Sequence, residues 1–213
     1  ISNYKIFQEN GYIVIPIKLD ANLDRLEVEH KIVEHNLEAK SEKKNLTEFL
    51  NDKLPTGLRI HIPHSFDILG GIAIIGLSPQ LNSYAKVIGQ ALIEIHKNIK
   101  TVLAKHTPIT GDFRIREYEL IAGENKTETI HLEYGCRFLI DVTKAYFNPR
   151  LSNEHYRVAK SVKEGETIVD MFAGVGPFSI LIAKLHKNLK IYAIDSNPNA
   201  INYLKNNIVL NKV

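Results

Sequence analysis

The sequence predicts a protein that combines α/β and α+β architecture, and three observations along the chain carry this prediction. Short β-rich runs and an amphipathic helical pattern occupy the first two thirds of its 213 residues. A compact apolar run, a glycine turn and a helical pattern follow near residue 170, and a second strand and helix come after them. Strand–helix–strand units of this kind form parallel sheets. We therefore expect a small partial α/β segment, an α+β middle domain and a parallel α/β unit at the end of the chain.

Composition and charge place the chain among ordinary globular proteins. Hydrophobic residues make up 44% of the sequence and charged residues 24%, which excludes disordered and collagen-like proteins. The densest apolar run, residues 72–77, is far shorter than the ~20 residues of a membrane span, so we expect a soluble protein. The single cysteine, Cys136, cannot form an internal disulfide, and no signal-peptide pattern is present, so we expect a cytoplasmic location. The net charge of +3 fits a polyanionic partner or a solvated surface equally well.

The start of the chain predicts a small, incomplete α/β segment followed by a linker. Residues 11–20 form a short β-rich run, and residues 21–37 are polar with a pattern compatible with a helix. Residues 38–45 are charged and lack large apolar side chains, as is typical of a linker or an exposed helix turn. We therefore predict three domains, which comprise residues 1–40, 41–135 and 136–213.

The middle of the chain predicts an α+β domain. Residues 66–77 are compatible with two short strands that turn at Gly70 and Gly71, where only glycine turns without steric cost. From Leu81 onwards, apolar residues recur every three or four positions, which is the spacing of an amphipathic helix. Alternating apolar and polar residues then predict strands in residues 113–121, 128–132 and 134–146.

A strand, a glycine turn and a helix near the C-terminal end carry the strongest functional signal. Residues 167–173 are a compact apolar run that leads to Gly174 and Gly176, and a helical pattern follows. Glycine allows a sharp turn and lets a ligand approach the backbone, while the helix start presents unpaired N–H groups. A second strand, residues 190–194, ends at Asp195, where a carboxylate can accept hydrogen bonds from ribose hydroxyls. The pattern predicts a nucleoside site in a Rossmann-type domain.

Two side chains favour S-adenosylmethionine over a dinucleotide as the ligand. A dinucleotide site usually has Gly or Ala at the third small position of the turn, where this sequence has Ser179. Asp170 precedes the first glycine by four residues, and a carboxylate there suits a cationic sulfonium and ammonium better than a pyrophosphate. An NAD-dependent oxidoreductase is the alternative, because it would share the glycine turn and Asp195.

Residues 170–180 resemble the cofactor motif of the archaeal and eukaryotic tRNA (guanine-N1)-methyltransferases that modify position 37, beside the anticodon. The resemblance covers most of the chain, and further matching segments are residues 113–117, 120–124, 147–154 and 192–198. It implies an S-adenosylmethionine-dependent enzyme that methylates N1 of guanosine 37, with tRNA as its partner. It also implies no membrane attachment and no obligatory protein partner.

The resemblance implies roles for two catalytic residues. Glu154 matches the carboxylate taken as the general base that removes the guanine N1 proton, and Arg114 matches an arginine that holds the target base. A base at Glu154 needs partial burial to raise its pKa towards neutrality. Without the resemblance, Glu154 is more typical of a surface or helix-start carboxylate, and Arg114 of an arginine on a strand face.

The resemblance also implies which residues bind the substrate and the cofactor. Tyr146, Phe147 and Arg150 would stack on or clamp an extruded nucleotide, although core packing explains Phe147 equally well. The backbone of the glycine turn would border the methionine half of the cofactor, and acidic and amide side chains would contact its adenosine. The cofactor residues that we predict are Asp170, Phe172, Ala173, Gly174, Val175, Gly176, Asp195 and Asn197.

The sequence departs from the family pattern in its last part. The further strands and the Asn-Pro-Pro loop that complete the family's catalytic domain have no counterpart in these 213 residues, so we expect a truncated chain that is itself inactive. A wyosine-pathway methyltransferase, an aminocarboxypropyltransferase acting on the same tRNA position and a non-catalytic RNA-binding module are the alternatives. We expect no metal site, because His61 and His64 have no accompanying carboxylate or cysteine cluster.

Overall fold

A computed structural model describes residues 4, 6–18, 21–23, 27–37, 45–107 and 115–213. The chain forms two compact units, Ile1–Lys44 and Asn45–Val213. In the part of the chain that the structure describes, no helix combines the length and apolar character needed to cross a membrane.

Among its described residues, the first unit contains an antiparallel hairpin, formed by β1 (Phe7–Glu9) and β2 (Tyr12–Val14). Its turn residues, Asn10 and Gly11, have φ angles of 49° and 82°. Two consecutive positive φ angles define the type I′ turn, whose twist matches that of a hairpin and which favours Asn-Gly. The predicted β-rich run therefore corresponds to β2 and its turn.

The helix predicted over residues 21–37 was wrong for the residues that can be compared. Residues 21–23 and 27–37 contain no helix. The apolar side chains of this stretch, Val28, Ile32 and Val33, are each more than half exposed. A short helix is marginal in water unless its apolar face packs against other parts of the protein, and these side chains remain largely exposed. The predicted linker, residues 38–45, lies outside the described residues except for Asn45.

The first part of the second unit contains a four-stranded mixed sheet in the order β3-β4-β5-β6. Its strands are β3 (Asp67–Leu69), β4 (Ile72–Ile75), β5 (Thr101–Lys105) and β6 (Tyr118–Gly123). The central pair β4 and β5 is parallel, and the outer pairs are antiparallel. The predicted turn at Gly70 is confirmed, and a Cβ on Gly70 would lie 2.3 Å from the carbonyl oxygen of Ile130. The predicted strand from residue 113 is observed as β6, which begins later.

Two helices cover one face of this sheet. α2 (Ala85–Ile95) packs on β5 and β6, and the short α1 (Leu46–Leu50) packs on α2. The helix predicted from Leu81 begins with a 3₁₀ segment, Pro79–Tyr84, before the α-helix starts. Leu81 is nevertheless fully buried in the same core as the apolar face of α2, so the predicted buried face is correct.

The opposite face of the sheet packs on the chain that follows the next hairpin. That hairpin consists of β7 (Glu128–Glu133) and β8 (Cys136–Asp141), as the alternating pattern predicted. Leu69, Ile74 and Leu103 of the sheet form a buried cluster with Val142, which comes directly after β8. This contact brings the sheet next to residues 145–150, where the predicted substrate residues lie.

The last part of the unit contains the predicted strand, turn, helix, strand and helix. β9 (Thr167–Asp170) and β10 (Lys190–Ala193) are parallel neighbours. The helices are α3 (Ser152–Ser161), α4 (Pro177–Leu185) and α5 (Pro198–Asn211). Because β8 pairs with β7 and also packs on α5, the predicted division at residue 135 falls in the turn of a hairpin. The three domain limits stay a prediction.

Two buried asparagines on α5 attach this helix to the free edge of β8. Asn207 accepts a hydrogen bond from the backbone N–H of Leu139 at 2.7 Å and donates one to the same residue's carbonyl at 3.0 Å. One turn later, Asn211 makes the same pair of bonds with Arg137, at 2.8 and 2.7 Å. The two amides therefore satisfy backbone groups that a neighbouring strand would otherwise pair.

Candidate cofactor and substrate site

The turn between β9 and α4 depends on two glycines for different reasons. Gly174 and Gly176 have φ angles of 53° and 93°, the left-handed region that favours glycine. A Cβ on Gly176 would lie 2.4 Å from a methyl carbon of Leu204, so this glycine lets α4 pack closely on α5. A Cβ on Gly174 would meet its first neighbour, the carbonyl oxygen of Tyr146, only at 3.8 Å. Gly174 therefore borders open space and lies beside a predicted substrate residue.

Asp195 lies after β10 and is hydrogen-bonded directly to this turn. Its Oδ2 accepts from the backbone N–H of Gly174 at 2.8 Å, and its Oδ1 accepts from that of Asn197 at 2.9 Å. Each carboxylate oxygen can accept a further hydrogen bond. The glycine turn and Asp195, which are separated in sequence, are thus in contact in space. The remaining acceptor sites of the carboxylate are available to ribose hydroxyls.

Asp170, at the end of β9, is oriented by the residue at the third small position of the turn. The buried hydroxyl of Ser179 donates to Asp170 Oδ2 at 2.6 Å. Within the described ranges, Oδ1 has no hydrogen-bond partner. The carboxylate is therefore held in one rotamer with one oxygen available to a cationic ligand.

The other predicted cofactor residues divide into exposed and buried ones. Phe172 is 87% exposed, whereas Ala173 and Val175 are buried, so a ligand could contact only the backbone of the latter two. The side chain of Asn197 is also buried, where it accepts from the N–H of Asn199 at 3.0 Å and donates to the carbonyl of Lys144 at 2.8 Å. Asn197 therefore caps α5 and supports the turn from beneath.

A cleft of about 290 Å³ lies between the β3–β6 sheet and residues 145–150. Three of the four predicted substrate residues, Tyr146, Phe147 and Arg150, line it. Sequence reasoning missed four further polar residues of the lining, which come from three strands of the sheet or the chain beside it: Asp67, Lys105, Arg116 and Tyr118. Of these, Arg116 lies in the segment 113–117 that resembles the family, which is the signal that could have found it.

The cleft carries more positive than negative charge. Asp67 accepts from Arg150 Nε at 2.6 Å and from Lys105 Nζ at 3.3 Å, and Arg116 adds a third cation. Burial raises the pKa of the Tyr118 hydroxyl, while nearby Arg116 partly opposes that rise. Tyr118 therefore stays protonated and can donate a hydrogen bond. Such a lining suits a phosphate or another anionic group.

Phe147 serves the core as well as the cleft. Its ring is edge-on to His131 with centroids 5.3 Å apart, and lies 5.9 Å from Phe138 and 6.2 Å from His155. These ring contacts support the interpretation that Phe147 packs in the core.

Glu154 is partly buried, but the raised pKa that a general base there needs is not found, and its role as the base stays a prediction. The side chain is 44% exposed and lies in the first turn of α3. Arg157 donates to it twice, from Nε to Oε2 at 2.8 Å and from Nη2 to Oε1 at 2.6 Å. These hydrogen bonds lower the pKa of the Glu154 carboxyl, instead of raising it. Glu154 does not line the cleft, and Arg114 lies outside the described residues.

Comparisons with known proteins agree with this arrangement. Residues 129–213 match the TRM5/TYW2 methyltransferase domain, and residues 46–127 match the TYW2 N-terminal domain. The chain belongs to the TRM5/TYW2 methyltransferase family. The family suggested by residues 170–180 is therefore confirmed.

Individual relatives extend the match over the whole chain. The chain is 49% identical over 213 residues to the tRNA (guanine(37)-N(1))-methyltransferase Trm5b of Pyrococcus abyssi, covering 100% of this chain and 62% of that protein. The solved complex of aTrm5 and tRNALeu is 40% identical, with a TM-score of 0.72, and the match covers 100% of this chain and 65% of the other. Methanocaldococcus jannaschii Trm5 in complex with adenosine is 39% identical, with a TM-score of 0.65 and coverage of 100% and 62%.

These neighbours confirm the predicted fold class of α+β elements with a partial Rossmann-type unit. The chain spans less than two thirds of the length of each of these relatives.

Proposed function

We propose that this chain is the tRNA-binding and cofactor-binding part of an S-adenosylmethionine-dependent methyltransferase acting on N1 of guanosine 37 in tRNA. One observation carries the proposal. The glycine turn with its acidic partner and the basic cleft meet at a single place. There, the carbonyl oxygen of Tyr146 lies 3.8 Å from the position that a Cβ on Gly174 would take. A methyl donor on one side and a nucleotide on the other would therefore be adjacent. Names of relatives support the same activity.

Three residues would hold S-adenosylmethionine. Asp195 would accept hydrogen bonds from the ribose, Gly174 would let the ligand approach the backbone, and the available oxygen of Asp170 would face its cationic groups. The adenosine complex of the M. jannaschii relative supports a nucleoside-containing ligand. When bound, S-adenosylmethionine supplies an electrophilic methyl group.

The cleft would hold the target nucleotide of tRNA. Its cations, Lys105, Arg116 and Arg150, would neutralise phosphate, and Tyr146 would stack on a base that leaves the anticodon stack. Arg114, from the family resemblance, would hold the guanine itself. A tRNA-modifying role also fits a cytoplasmic location, where a single buried thiol such as Cys136 stays reduced.

Glu154 would remove the proton from guanine N1, so that the nitrogen lone pair can attack the methyl carbon. In the arrangement described, Arg157 keeps the carboxylate ionised, which is the form that accepts a proton, but also makes it a weak base. Bound tRNA would have to draw Arg157 away, and a phosphate is the group that competes best for a guanidinium.

The test is methyl transfer from labelled S-adenosylmethionine to unmodified tRNA with guanosine at position 37. It compares wild type with Glu154→Gln, and uses Glu164→Gln, an exposed glutamate, as the matched control. Both the 213-residue chain and a version that reaches the length of the relatives are assayed. Labelled N1-methylguanosine is expected from the longer wild type and the control, and its loss from Glu154→Gln with cofactor binding intact.

Different products would point elsewhere. Label on a wyosine precursor, or transfer of an aminocarboxypropyl group, would move the proposal to another branch of the family. Binding of tRNA with no transfer in any form of the protein would contradict an enzyme and leave an RNA-binding module.

A further inference from the structure

One acidic residue sits in a cleft that otherwise suits a polyanion. Asp67, the first residue of β3, has a side chain only 18% exposed. Its two oxygens bind different cations. One is Lys105, at the end of β5, and the other is Arg150, which follows Asp67 by 83 residues in the sequence. The carboxylate therefore joins two strands of the sheet to the segment that precedes α3.

The contact with Arg150 uses only one edge of the guanidinium. Nε donates to Asp67 Oδ1 at 2.6 Å. Among the described residues, neither Nη group has a hydrogen-bond partner, and the side chain lines the cleft while being 60% exposed. A guanidinium held through Nε presents its remaining N–H groups as a planar fork, which matches two oxygens of a phosphate.

An unsupported arginine would lose this geometry. A long, exposed side chain samples many rotamers, and ordering it on binding is unfavourable in entropy. Asp67 removes that freedom before any ligand arrives. Lys105, fixed by the same carboxylate, adds a second cation at a set position.

We propose that Asp67 is a positioning residue for tRNA, which holds Arg150 through Nε so that its Nη groups bind a phosphate of the target nucleotide. This inference rests on the proposed function, because it takes tRNA as the ligand. It assigns Asp67 a role that the sequence did not suggest, since the residue is acidic and distant from the motif.

The sign of the effect separates this role from simple electrostatics. Removing a negative charge from a cleft that binds a polyanion strengthens binding if charge alone matters. If Asp67 positions Arg150, its removal weakens binding instead. A purely structural role would change thermal stability without coupling to Arg150.

The experiment measures the Kd of the 213-residue chain for unmodified tRNA by fluorescence anisotropy, at several salt concentrations. It compares wild type, Asp67→Ala, Asp67→Asn, Arg150→Ala and the Asp67→Ala, Arg150→Ala double variant. Asp52→Asn, at an exposed aspartate outside the cleft, is the matched control. Melting temperatures are recorded for every variant.

Arg150→Ala is expected to raise Kd about tenfold and to reduce the salt slope by about one phosphate contact. Asp67→Ala should raise Kd about fivefold with the same loss of slope, and Asp67→Asn, which keeps an acceptor, should have a smaller effect. The double variant should bind no more weakly than Arg150→Ala, because both changes remove one contact. The control should bind like wild type.

Two results would overturn the inference while leaving the proposed function intact. One is equal or tighter binding by Asp67→Ala and Asp67→Asn, and the other is an effect of Asp67→Ala that adds fully to that of Arg150→Ala. If Asp67→Ala does not melt cooperatively, the isosteric Asp67→Asn decides. Failure of the wild type to bind tRNA would instead reject the proposed function, and the inference with it.

Discussion

Replacing Asn207 with alanine should destabilise the second unit far more than its polar character suggests. Its amide makes three hydrogen bonds: Oδ1 accepts from Leu139 N at 2.7 Å, and Nδ2 donates to Leu139 O at 3.0 Å and to Val175 O at 3.1 Å. The residue is fully buried. Asn207→Ala therefore leaves one N–H and two carbonyls of the backbone without a partner.

The magnitude follows from those three groups. A buried backbone group that loses its partner costs about 1–3 kcal/mol, and water entering the void offsets part of the loss. Alanine improves helix propensity by at most ~0.7 kcal/mol. The free energy of unfolding should consequently fall by about 3–5 kcal/mol.

The neighbouring Asn206 provides the matched control, because it is exposed on the same helix. Urea unfolding followed by circular dichroism should show a large drop for Asn207→Ala and no drop for Asn206→Ala. A loss below about 1 kcal/mol for Asn207→Ala would refute the idea that this amide replaces a neighbouring strand.

Asn207→Asp adds a dependence on pH whose sign can be stated. Burial and two nearby carbonyls would raise the pKa of an aspartate there above its unfolded value. Because the pKa of this aspartate is higher in the folded than in the unfolded state, its protonated form stabilises the fold at low pH. That stabilisation is lost as the pH rises past ~4. The variant should therefore approach wild type in acid and fall furthest below it at neutral pH.

Three further predictions concern the site. Gly176→Ala should lower the free energy of unfolding in urea by about 2–4 kcal/mol, because a Cβ there would lie 2.4 Å from Leu204. Gly165 has a φ of +82° but open space around its Cβ position, so Gly165→Ala should lower it by only about 1 kcal/mol. Arg157→Ala should raise the pKa of Glu154 towards its ordinary value in an NMR titration. Because that pKa is lowered in the folded state, the pair contributes stability only at higher pH, and the difference between variant and wild type should vanish in acid. The 213-residue chain should bind S-adenosylmethionine, weakened by Asp195→Ala in calorimetry, yet transfer no methyl group; measurable transfer would contradict this.

The sequence by itself determined the local elements and the family. A β9-like apolar run, glycines that need positive φ, and an acidic residue at the end of the next strand are local signals, so the order of strand, turn, helix and strand was predictable. The contact between Gly174 and Asp195 follows from that order, because parallel neighbouring strands end at the same edge. Turn chemistry also explains the Asn10-Gly11 hairpin.

Only the tertiary structure decided the contacts between distant parts of the chain. Asp67 and Arg150 are 83 residues apart, and no periodicity relates them. Asn207 has the residue type of an exposed helix position, yet it is buried against a strand edge. Residues 21–37 have a helical pattern, but a helix also needs a surface to pack against. Local patterns specify conformation, whereas burial and pairing depend on which surfaces the folded chain brings together.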